Sequence, residues 1–260
     1  MLAARYASRY KHAIAGALLA GLLANAPAAD HPGTAEHPST KRGFDVPPSA
    51  DLLYSIKARQ SGMALSGDAV INWRAGDQQY AITAETRTPL LGKILDNKSA
   101  GAVDDYGLAP AQFYEKRLFK DARTTSFRRD SKTIVFSDSQ QSYPIKGGEQ
   151  DRASVQWQLI AVARAAPDKF TPGSQWDFFV AGQRDAERWV FKVVKRDTVH
   201  TAMGELDTVH LVKSPPPDAK GQQLDIWLAP KLGWFPVRLR FDDGDGDFVE
   251  QTLEKFSLVK

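Results

Sequence analysis

Hydrophobic and polar residues alternate along most of this chain, and the alternation is most regular from Gln222 to Phe241, QQLDIWLAPKLGWFPVRLRF. Leu224, Ile226 and Leu228 alternate with Asp225, Trp227 and Ala229; beyond a turn over Pro230 to Gly233, Val237, Leu239 and Phe241 alternate with Arg238 and Arg240. A period of two sends every second side chain to the same side, so this stretch is a β-hairpin with one apolar face. Pro236 stands at the mouth of the second strand, where a missing N–H costs the ladder least. The same rhythm appears at Leu52, Tyr54 and Ile56, at Ala69, Ile71 and Trp73, and at Tyr80, Ile82 and Ala84, with turns at Ser61-Gly62 and Gly76-Asp77. Three such strands in succession predict a meander. Pro89 to Leu95 interrupts it with an apolar patch around Gly92. Further strands are read in AGAVDDYG, QFYEKRLF, TTSFRR and TIVFSDS, and later in WDFFVAG, ERWVFKVVKRDTV, GELDTVHLVKS and DFVEQTLEKF.

One segment departs from this period. After Gly147-Gly148, Asp151 is placed to cap a helix, and Val155, Leu159, Val162 and Ala163 recur at helical spacing before Pro167. The pattern predicts a helix over 152–165 whose apolar stripe closes an end or edge of the sheet, with Trp157 on the far side facing an outer groove. The architecture expected is mainly β: an antiparallel meander of about a dozen strands, forming an open or flattened barrel with one substantial helix.

The IWLAP and FPVR segments, followed by a polar turn and the last strand, resemble the C-terminal half of an exported bacterial family of unknown function, DUF3108. Gly107-Leu-Ala-Pro110 before an aromatic strand, Gln150-Asp-Arg-Ala-Ser154 opening a helix, and Gly204-Glu-Leu-Asp207 fit the same order. The resemblance extends from about Leu52 to the end. It implies a secreted, mostly β domain and brings no activity and no functional residues.

Residues 1–29 read as a cleavable signal peptide. Arg5, Arg9 and Lys11 precede AIAGALLAGLLANA, an apolar run shorter than the roughly 20 residues a spanning helix needs, and Ala26-Pro-Ala28 supplies small residues for cleavage. This leader holds three of the 34 Lys and Arg and none of the 31 Asp and Glu, so the remainder balances at 31 of each. That balance removes the polyanion attraction a pI near 9 suggests, and no nucleic-acid partner is expected. Residues 30–49, rich in Pro, Gly, Ser and charge, are expected to form a flexible tether, with 50–260 as a single β domain. The chain has no cysteine, which excludes disulfides, thiol chemistry and a lipid-modified cysteine.

No constellation of catalytic or metal-ligating residues stands out, and no cofactor is expected. The acidic run Asp242 to Asp247 lacks the central glycine of a calcium loop and reads as a hairpin turn. His200 and His210 lie on strands that pair across Ala202 to Gly204, without a third ligand for a metal. Paired carboxylates such as Asp104-Asp105 or Asp185 and Glu187 meet the needs of glycoside hydrolysis only if they stand about 5 to 10 Å apart across a cleft. Aromatics are the remaining signal: several, Trp227 most clearly, are in phase with polar neighbours, and Trp73, Tyr80, Phe113, Trp189 and Trp227 are the candidate ligand-binding residues, lining a concavity suited to a lipid tail, glycan or peptide. The function expected is non-catalytic binding of a hydrophobic or amphipathic envelope ligand in the periplasm, with no stable transmembrane segment after processing. A strand-pairing envelope scaffold and a carbohydrate-directed hydrolase are the alternatives.

Overall fold

The computed structural model describes residues 37–213 and 222–259. The signal peptide, the start of the tether and the proline-rich loop before Gly221 lie outside the described residues. Fifteen strands form one sheet. In chain order they are β1 (Ala50–Gln60), β2 (Met63–Gly76), β3 (Gln79–Thr88), β4 (Gly92–Asp104), β5 (Gly107–Arg117), β6 (Arg123–Arg128), β7 (Thr133–Phe136), β8 (Ser139–Pro144), β9 (Gln150–Asp151), β10 (Gln175–Ala181), β11 (Ala186–Thr201), β12 (Gly204–Lys213), β13 (Gln223–Ala229), β14 (Phe235–Asp242) and β15 (Phe248–Leu258); helix α1 spans Ser154–Ala165.

The strand order is 8-7-6-5-4-3-2-1-15-14-13-12-11-10-9, so the first and last long strands pair at the centre of the sheet. Two meanders therefore extend outward from the β1–β15 pair, where Ala50 lies opposite Leu258 and Arg59 opposite Phe248. All contacts are antiparallel except the short β9–β10 pairing. The sheet does not close through a backbone ladder. Its two ends meet instead through side chains: Phe127, Ile134 and Phe136 of β6 and β7 pack with Phe179, Ala181 and Ala186 of β10 and β11. This is the open barrel that the alternating pattern predicts.

Local sequence accounts for most of the elements. In β1, Ala50, Leu52, Tyr54, Ile56 and Ala58 are buried and the residues between them are more exposed, as a period-two strand requires. The tight β2–β3 connection places Asp77 and Gln78 at φ 50° and 57°, the left-handed pair of a two-residue hairpin whose twist matches its strands. The predicted Leu224/Val237 hairpin is β13 and β14. The patch around Gly92 is not an interruption: it opens β4, which runs unbroken to Asp104 because Lys93 and Leu95 are held against Arg87 and Thr86. The strands β8 and β9 carry too few apolar residues for periodicity to reveal them.

The helix differs from expectation in how it packs. All of Val155, Trp157, Leu159, Ile160, Ala161, Val162 and Ala163 are buried, so α1 lies inside the curved sheet rather than against one edge. A helix buried on most of its sides belongs to an interior. Trp157 faces no groove: it is 3% exposed and stacks on Trp73 with ring centroids 4.4 Å apart. Residues 37–49 have no helix or strand and lie along α1 and the free edge of β10. Asp45 donates its N–H to Ala161 O, Arg42 pairs with Asp177, and His37 stacks on Phe179. No helix among the described residues is long and apolar enough to cross a membrane.

Candidate functional site

Two short motifs meet at the start of α1. Gln158 accepts the Leu108 N–H and donates to Tyr106 O, each at 2.8 Å, while Gln150 donates to Leu108 O at 2.6 Å. Gly107 lies between these bonds at φ 103°, and a Cβ there would fall 2.4 Å from Gln158 Oε1. The Asp151 carboxylate accepts the N–H groups of Ala153 and Ser154 at 2.8 Å and the Ser99 hydroxyl at 2.6 Å, and Ser99 also bonds the Tyr80 hydroxyl. The carboxylate is thus the acceptor for two N–H groups at the start of a buried helix. Burial pushes the Asp151 pKa up to about 6 despite the hydrogen bonds that oppose it.

The next residue, Arg152, points into the seam where the ends of the sheet approach. Its guanidinium lies over the backbone of Gly182, where a Cβ would come within 2.8 Å of Nε and Nη2. Nη1 is buried without a hydrogen-bond partner, and among the described residues Arg152 makes no salt bridge. Burial lowers its pKa from the usual arginine value, while the carboxylates of Asp185, Glu115 and Glu187 pull the other way. Arginine remains charged under such a shift, so this is a partly buried cation without a bonded counter-ion among the described residues.

Around it the inner face of the sheet carries charge at positions where alternation calls for apolar residues. Phe113, Glu115 and Arg117 share one face of β5, and Glu115, 1% exposed, accepts from Arg117 Nε and from Gln183 Nε2. Arg123 of β6 donates to Gln183 Oε1 at 2.6 Å, and Thr125 donates to Gly182 O at 2.6 Å. On the other side of the seam, Glu187 accepts from Trp189 Nε1 at 2.7 Å and lies 3.8 Å from Lys213 Nζ, which sits 4.8 Å above the Trp189 ring. Burial raises the pKa of Glu115 and Asp185 and lowers that of Lys213. Three of the cations here have a carboxylate beside them, Arg117 with Glu115, Arg123 with Asp138 and Lys213 with Glu187, while Arg152 has no salt bridge among the described residues. Burial and close charge pairs displace several pKa values at this one seam, which makes it the candidate site.

The five aromatic candidates do not form one concavity. Trp73 and Tyr80 touch, with centroids 5.8 Å apart, and with Phe113 they are at most 3% exposed, enclosed by the sheet and helix. Trp227 lies on the strand face opposite Ile226, stacked parallel on His210 at 4.3 Å. Only Trp189 belongs to the charged seam. His200 faces Glu205 and His210 bonds Asp225, so the histidines do not converge, and no group of three acids or histidines suited to a metal occurs among the described residues. The acidic run is a hairpin turn, with the Asp243 N–H bonded to Asp247 O. Sequence reading missed Arg152, Glu115 and Lys213. The signal was present as charge in phase with an apolar stripe: Glu115 and Arg117 follow Phe113, and Lys213 follows Leu211.

The fold has a counterpart among solved structures. A β-barrel-like protein of the domain of unknown function DUF1849 from Brucella abortus aligns over 85% of this chain and 100% of its own, with a TM-score of 0.54 and 12% identity, which establishes a similar fold. A domain from Vibrio parahaemolyticus, provisionally described as an outer membrane lipoprotein-sorting protein, covers 81% of this chain and 85% of its own at a TM-score of 0.34 and 8% identity, below the level at which a fold is shared. A search of curated proteins returned no match. Residues 53–254 match the family described as Protein of unknown function (DUF3108), and this chain, with its two motifs joined at a buried helix, belongs to that family.

Proposed function

We propose that the protein is exported to the periplasm and binds, without chemical turnover, an anionic amphiphile of the cell envelope at the charged seam. Arg152 carries this reading. A buried guanidinium N–H group without an acceptor is costly to maintain, and an anionic headgroup that reaches Nη1 would supply one. The surrounding Arg117, Arg123 and Lys213 favour a negative ligand. The apolar part of such a ligand has a matching surface: Leu65, Leu91, Leu118, Trp189 and Leu224 are partly buried against the core at the strand ends on the same side. The leader read at residues 1–29 supports export. Pairing with a partner strand is less well supported, because the edge strand β8 is short, polar and ends at Pro144, features that discourage such pairing.

Native mass spectrometry of the protein purified from the envelope of its own host tests the proposal. Wild type is expected to carry an anionic lipid or lipid-like mass, and R152M, shown folded by circular dichroism, to carry none. Lipid-free wild type with no affinity for added anionic envelope lipids would overturn it.

A further inference from the structure

We infer that the rim formed by the β3–β4 and β5–β6 turns docks onto an anionic lipid bilayer, with Leu90 and Phe119 inserting between headgroups. The sheet topology places these turns together. In an antiparallel meander alternate connections share one end, and the β1–β2, β3–β4 and β5–β6 turns therefore lie on one rim. The β4–β5 register makes the two tips neighbours: Leu95 pairs with Arg117, and Leu118 donates its N–H to Ile94 O at 2.9 Å. Leu90 is 85% exposed and Phe119 is 69% exposed. Isolated exposed apolar residues are ordinary, but two large ones on adjacent projecting tips form a surface with no buried partner.

Phe119 carries a second observation. Its φ is 59°, in the left-handed region that an aromatic side chain adopts only at a conformational cost, and the exposed ring recovers little of that cost by packing. Asparagine or glycine would suit the turn better. Beside it, Lys116 and Lys120 are exposed and form no ion pair among the described residues; Lys116 Nζ donates to Lys120 O at 2.6 Å. A pair of apolar side chains flanked by exposed lysines matches the two layers of a bilayer surface, acyl boundary below and anionic headgroups above. The acidic turn Asp242 to Asp247 lies at the same end beside the β1–β2 tip, where the Ser61 N–H meets Asp247, so the β1–β2 hairpin stands between it and the docking pair. The molecule would therefore approach tilted, with the β3–β6 side lowest.

This docking is independent of what Arg152 binds, and its test is separate. Mature protein is sedimented with vesicles of phosphatidylethanolamine and phosphatidylglycerol, and with vesicles of phosphatidylcholine alone. Wild type is expected to partition onto the anionic vesicles, L90N/F119N to lose at least about tenfold in partitioning, and K116Q/K120Q to lose about fivefold for each lysine. Asparagine keeps the left-handed turn at position 119, so the double variant is expected to remain folded. In F119W, the fluorescence increment over wild type should shift to the blue on adding anionic vesicles. Equal sedimentation of L90N/F119N and wild type, no binding by wild type, or a wild-type dimer in ultracentrifugation that L90N/F119N dissociates would each overturn the inference.

Discussion

The indole of Trp157 lies face to face with that of Trp73, their planes 7° from parallel. One ring comes from the helix and the other from β2, and Phe235 of β14 packs edge-on to Trp157 from the opposite meander with centroids 5.9 Å apart. The helix therefore joins both halves of the sheet through one side chain. W157A is expected to destabilise the protein by about 3–5 kcal/mol, the range for removing a buried aromatic and leaving its cavity. Urea unfolding followed by circular dichroism measures this; a loss under about 1 kcal/mol would mean that the ring is not part of the core.

Gly107 is required for two reasons, its φ of 103° and the space taken by Gln158. G107A should push the Gln158 amide away from Leu108 and Tyr106 and leave the buried Leu108 N–H and the part-buried Tyr106 carbonyl unpaired. A loss of about 3 kcal/mol or more is expected from the strain and the broken bonds together. Adding Q158A to G107A relieves the clash but not the unpaired groups, so the double variant is expected to recover only part of the loss. Full recovery would show that the amide bonds contribute little.

Asp151 makes stability depend on pH. Its pKa is pushed up to about 6 in the fold, above the ordinary carboxyl value of 3.8, so between these values the native state holds more protons than the unfolded chain. Its contribution is fully present below about pH 4 and is lost as pH rises through 6, with a total change of about 3 kcal/mol. In D151N this component disappears. Unfolding free energies measured from pH 4 to 7 should fall less steeply in the variant than in wild type, and parallel curves would contradict the assignment.

The Glu115 carboxylate would oppose the anionic ligand proposed for the seam. E115Q retains the Oε1 acceptor for Arg117 and Gln183 while removing a carboxylate close to Arg152. Affinity for anionic lipid, measured by titration calorimetry, is expected to rise about tenfold, and R152M to abolish binding. Unchanged affinity in E115Q would place the ligand elsewhere.

Much of this fold was legible along the chain. Strands β1, β3, β13 and β14 show their apolar faces in a simple period of two, and the helix is marked by Asp151, by spaced aliphatics and by Pro167. The strands that escaped notice, β8 and β9, are polar or only two residues long, and they form because the rest of the sheet supplies a ladder for them. The position of the helix was hidden for a related reason: a stripe of Val155, Leu159, Val162 and Ala163 specifies a buried face but not what covers Trp157 on the other side.

The candidate site shows the same division. Residue type and parity alone put Glu115, Arg117 and Lys213 on the apolar faces of their strands, because alternation is a local property of extended backbone. Their meeting with Arg152 is not local. It depends on how far the sheet curls, which brings residues around positions 115 and 185 together across a seam without backbone pairing, and that curvature is set by the summed twist of fifteen strands packed around the helix.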